Sequence, residues 1–165
     1  MVGQTQQAAQ KRKATGTTDT VWDEEAIFAD LEARCSAAEV AVARKIADWM
    51  KSSGDRIVFG RGKKDGSMTA GFVRPDGKEI YPAMLYAYGR VAIQFQWMKD
   101  RPFFSDLGHR RELIARLNAI KGLAISEDKI SMRPSILLSV LAPSPEGVMQ
   151  LIDALAWAVS EFRLA

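Results

Sequence analysis

Val91-Ala92-Ile93-Gln94-Phe95-Gln96-Trp97 alternates a β-branched and aromatic face with a small or polar one. Period two over that length predicts a half-buried strand. Val91, Ile93, Phe95 and Trp97 are then expected in the core. The opposite face would carry the amides of Gln94 and Gln96, and no carboxylate, imidazole or thiol. Such a face suits hydrogen bonding to a backbone or a base edge.

Three further strands are expected upstream. Residues 56–59 form a short one. Met68, Ala70 and Phe72 alternate with Thr69, Gly71 and Val73 in the second. Residues 80–87 form the third, and Pro82 marks it as an edge strand or as bulged near its start. Pro75-Asp76-Gly77-Lys78 is a turn between strands, because Asp-Gly supplies the positive φ of a tight hairpin. Gly89 makes the next turn. Short connections predict an antiparallel meander.

Helical periodicity flanks the strands. Asp23-Glu24-Glu25 favours a helix N-terminus and precedes Ile27, Phe28 and Leu31, which predicts a helix over 23–34. Ser36 and Glu39 match a capping box for a second helix over 37–52, which Gly54 ends. Past Pro102, Ser105 or Asp106 caps a helix over 106–119. Residues 135–141 read as a buried strand. Ser144-Pro145-Glu146 starts a last helix over 145–162, with Val148, Leu151, Leu155 and Phe162 on one side. The order is ααββββαβα, an α+β class with an antiparallel meander packed against helices.

A chain of 165 residues is one domain on length, here placed at 21–165. Residues 1–20 lack apolar periodicity and are expected to be a disordered basic tail. The formal net charge is +3, and Lys11, Arg12 and Lys13 against Asp19 put most of it in that tail. The basic balance is therefore weak evidence about the folded body. No apolar run approaches the length of a membrane span, no apolar leader opens the chain, and the one cysteine, Cys35, fits a reducing cytoplasm.

The residues for common chemistries are scarce. One Cys and one His, Cys35 and His109, do not supply a structural zinc site. No Gly-x-Ser-x-Gly elbow is present. Gly60-Arg61-Gly62-Lys63-Lys64-Asp65-Gly66-Ser67 suggests a phosphate loop but does not close as Gly-Lys-Ser/Thr. Its amides could still form an anion nest. A metal-dependent nuclease would draw on Arg74, Asp76, Glu79 and Lys99, yet residues 91–97 carry no acid. Candidate anion-binding bases are Arg61, Lys63, Lys64, Arg74 and Lys78, with Lys99, Arg101, Arg110 and Arg111 later.

Ala43-Arg44-Lys45-Ile46-Ala47-Asp48-Trp49, Gly66-Ser67, residues 91–97, Arg111-Glu112-Leu113-Ile114-Ala115-Arg116-Leu117-Asn118 and Arg133-Pro134-Ser135-Ile136 together resemble an uncharacterised bacterial domain. That domain occurs alone or beside nuclease and restriction-type modules. The resemblance covers about 40–163 and implies an accessory role near DNA or defence systems. It assigns no catalytic residue. The expectation is a non-enzymatic interaction module for a protein partner or a nucleic-acid backbone, with no cofactor, metal or membrane. The alternative is a metal-dependent nuclease or another phosphodiester-acting enzyme. A homodimer through an apolar face stays open.

Overall fold

Residues 56–59 and 67–93 supply five strands of the sheet that the alternation of the sequence predicts. The computed structural model describes residues 22–60 and 65–165. Its elements are α1 (Glu24–Arg34), α2 (Ala37–Ser53), β1 (Arg56–Phe59), β2 (Ser67–Val73), β3 (Glu79–Ile80), β4 (Ala83–Tyr86) and β5 (Arg90–Ile93). There follow α3 (Phe95–Met98), α4 (Leu107–Asn118), a 3-10 turn (Glu127–Lys129), β6 (Ser135–Leu137), α5 (Leu138–Leu141) and α6 (Pro145–Leu164). The class is α+β. The six strands run in the order β1-β2-β4-β5-β6, with β3 beside β2, and every pairing is antiparallel.

The helix starts follow their capping chemistry. Asp23 accepts from the Ala26 amide, and Ser36 and Glu39 close the capping box. Ser144 caps α6, with Pro145 in its first turn. Gly77 has φ +89°, as the hairpin between β2 and β3 demands.

Met68, Ala70 and Phe72 on β2, Leu85 on β4, Val91 and Ile93 on β5 and Ile136 on β6 form the inner face of the sheet. They join one core with Ala43, Ile46 and Met50 of α2 and Leu151, Leu155 and Phe162 of α6. The other face keeps Val58, Arg90 and Leu137 exposed. Among the described residues no helix is long and apolar enough to cross a membrane.

Three expected strands are altered. The run 80–87 splits into β3 and β4 around Pro82, which has no amide to give the ladder. The run 91–97 stops at Ile93. Its partner β4 begins at Ala83, opposite Ile93, so no further strand lies beside it there. The chain bends, and the amides of Trp97 and Met98 turn back to the Gln94 carbonyl at 3.1 and 3.0 Å. Phe95 and Met98, three apart, then enter the core as one helical turn. The run 135–141 likewise ends at Leu137, and Leu138 and Leu141 face inward from α5. A short apolar run fits a strand or a buried helical turn equally by periodicity.

The C-terminal helix is tied to the sheet by charge. Asp55 Oδ2 accepts from the Val73 amide at 2.7 Å and from Arg163 Nη2 at 2.8 Å. The Val73 amide first, and Arg163 second, hold the Asp55 carboxyl below its ordinary pKa. A depressed carboxyl contributes stability above its unfolded pKa and loses it as pH falls through the folded value. The gap in Tm between wild type and Asp55→Asn should therefore be flat from about pH 8 to about pH 5 and close below about pH 4. A gap that stays constant into acid would detach Asp55 from the linkage.

Candidate functional site: a basic groove at the sheet edge

A groove of about 870 Å³ opens where β5, β6 and α3 meet the segment 123–134. Arg90 projects into it from the start of β5, where it pairs across the ladder with Leu137. Ser135 enters from β6, and Gln96 and Lys99 enter from α3 and its cap. Lys129, Ser131, Met132 and Arg133 complete the far wall. Among the described residues four cations line the groove, and no carboxylate does.

The far wall is held in place. Arg110, only 8% exposed, donates through Nη1 to the Ile130 carbonyl at 3.1 Å and to Ser131 Oγ at 2.8 Å. Asn118 clamps Ile125 twice, donating to its carbonyl at 3.0 Å and accepting from its amide at 2.7 Å. The Gln96 amide donates to the Met132 carbonyl and the Ile93 amide to the Pro134 carbonyl, each at 2.9 Å. The acids of the 3-10 turn have partners other than the groove cations. Glu127 accepts from Arg111 Nε at 2.6 Å, and Asp128 accepts from Ser126 Oγ.

Several arginines elsewhere pair with carboxylates, as Arg34 does with Asp65, Arg56 with Glu79 and Arg116 with Glu112. Arg90, Lys99, Lys129 and Arg133 form no salt bridge among the described residues. Unneutralised cations around a concavity concentrate positive potential and attract an anion with several charges. A stacked aromatic pair adjoins the groove. Tyr86 and Tyr88 lie 5.1 Å apart at 24°, and the Arg90 guanidinium is 6.0 Å from the Tyr88 ring. Burial pushes the Tyr86 phenol up, while the charge of Arg133 pulls it down.

The expected site residues are distributed differently. Gln94 and Gln96 do not share an exposed face. Gln94 is 0% exposed, and neither atom of its amide has a hydrogen-bond partner among the described residues. Gln96 is exposed and lines the groove. Trp97, expected in the core, is 42% exposed and meets Tyr81 edge to face at 6.3 Å. The bend after Ile93 causes both reversals, because it replaces alternation with helical spacing. Arg61, Lys63 and Lys64 and the tail 1–20 lie outside the described residues. Lys78 is exposed on its turn. Arg74 is half-buried and built into the fold: it donates to the Phe162 carbonyl at 3.4 Å and pairs with Asp76 at 3.4 Å. Arg110 is a buried strut rather than a surface base.

The nuclease residues do not converge. Asp76 Oδ1 accepts from the Lys78 amide at 3.0 Å, and Glu79 accepts from the Tyr81 hydroxyl at 3.0 Å. Among the described residues no three Asp, Glu, His or Cys side chains gather where they could hold one metal ion. Cys35 is half-buried, and burial, helped by Glu39, raises its thiol pKa. His109 stacks on Phe103 at 3.7 Å and bonds the Phe103 carbonyl through Nδ1 at 2.7 Å. Arg90, Lys129 and Arg133 were not among the bases singled out from the sequence. Arg90 lies some forty residues before Lys129 and Arg133, and only the β5–β6 register and the fold of the 123–134 segment bring the three together. Comparison with protein-family models, with curated proteins and with solved structures finds no match for this chain.

Proposed function

We propose that the chain is a non-enzymatic interaction module that holds nucleic acid by its phosphate backbone in the basic groove. The observation that carries the reading is the set Arg90, Lys99, Lys129 and Arg133 around one concavity with no lining carboxylate among the described residues. Phosphates spaced along a polymer suit cations spread along a groove, and Gln96, Ser131 and Ser135 add neutral hydrogen-bonding groups. The resemblance to domains that stand beside nuclease modules points the same way. A fixed far wall fits binding without large rearrangement.

The test is a salt titration of binding to a labelled oligonucleotide by fluorescence anisotropy. Binding should weaken steeply with salt, because each neutralised phosphate releases counterions. Arg90→Ala together with Arg133→Ala should reduce the slope of log K against log salt by roughly 1.5–2 units. Retained binding with an unchanged slope would move the site off this groove. No binding at about 50 mM salt would sink the nucleic-acid reading and leave a protein partner in its place.

A further inference from the structure

We infer that the groove prefers a single strand, with a base stacked on the Tyr86–Tyr88 pair, over a duplex. The inference rests on the proposed nucleic-acid reading and adds the substrate class. Tyr86 ends β4 and Tyr88 lies on the turn closed by Gly89 at φ +97°, and the stacked pair stands next to Arg90, which lines the positively charged groove. Tyr88 is 38% exposed although it is large and aromatic. The Tyr88 ring is thus partly open to solvent beside Arg90, a cation of the groove.

In a duplex the bases are already stacked on each other, and their faces cannot reach a protein ring without unstacking. In a single strand the faces are free, and every base has one. Aromatic rings beside a basic track are the recurring arrangement for single strands, and they bind with little sequence preference. Charge complementarity supplies the attraction, and the tyrosines supply the discrimination. A partner protein with an acidic surface would use the cations but would gain no such advantage from the paired rings.

The experiment compares a single-stranded oligonucleotide of about 12 nucleotides with the duplex of the same sequence, on the full chain. Inorganic polyphosphate serves as a competitor that has charge and no bases. Wild type should bind the single strand more tightly than the duplex. Tyr88→Ala should weaken single-strand binding by about five- to a hundredfold, the size of one lost base–aromatic stack, and leave duplex binding unchanged. Tyr88→Phe keeps the ring and should restore most of the affinity. Circular dichroism of Tyr88→Ala, which alters an exposed turn, confirms that the variant is folded. Equal affinity for the two forms, with Tyr88→Ala changing neither, overturns the single-strand inference while the phosphate-binding reading stands. Absence of binding to every probe at low salt overturns both.

Discussion

Phe95→Ala is expected to lower the unfolding free energy by about 3–5 kcal/mol, the usual cost of emptying a buried phenyl site. Phe95 is fully buried in the core, where the one-turn α3 inserts it together with Met98. Trp97→Ala, two residues on, should cost about 1 kcal/mol or less. Trp97 is 42% exposed, and the ring contact recorded for it is its edge-to-face approach to Tyr81. Gln94→Met should act in the opposite direction and stabilise the fold by about 1–2 kcal/mol. It replaces an amide without partners by an apolar chain of similar length, so the desolvation cost of that amide disappears. Chemical denaturation of the three variants measures all three values. A loss at Trp97 as large as that at Phe95 would restore the continuous strand, which puts both on the core face, and refute the bend.

That comparison isolates where the sequence was legible. Alternation identified β2 and the start of β5, because Met68, Ala70 and Phe72, then Val91 and Ile93, obey one period inside a paired ladder. Caps identified the helices, because Ser36, Asp106 and Ser144 act on amides within three residues of themselves. Local chemistry of this kind is written in adjacent letters. The end of β5 is not. It depends on where β4 begins, and that depends on Pro82, eleven residues before Ile93. Gln94 therefore took the solvent side in a period-two reading and the interior in the folded chain.

The groove was less legible for the same reason. Lys99 stood among the candidate bases, but Arg90 and Arg133 had no signal of their own. Arg90 becomes a groove residue because it pairs opposite Leu137, and Arg133 because Pro134 continues that ladder by accepting from Ile93. Their lack of salt-bridge partners among the described residues is a property of the fold. In sequence, Glu127 and Asp128 sit close to Lys129 and suggest a mixed-charge surface. In space, Glu127 pairs with Arg111 and Asp128 accepts from the Ser126 hydroxyl, and among the described residues neither forms a salt bridge with a groove cation.

Arg110→Ala should destabilise the fold by about 2–3 kcal/mol, since it removes a packed aliphatic stem and two hydrogen bonds from a charged donor. Arg110→Met keeps most of the stem and should recover about half of that loss, which separates packing from hydrogen bonding. The more informative effect is on binding. Arg110 is buried beneath the groove wall and holds Ile130 and Ser131 through its Nη1, but it does not line the groove. Loosening that wall costs ordering free energy when the ligand binds, so the affinity of Arg110→Met for an oligonucleotide should fall. Its salt slope should stay at the wild-type value, because no phosphate contact has been lost. Lys129→Ala and Arg133→Ala should each lower the slope by roughly one unit. A reduced slope in Arg110→Met, in a variant that remains folded by circular dichroism, would mean that Arg110 reaches the phosphates itself. The buried guanidinium would then have to leave Ile130 and Ser131 when nucleic acid binds.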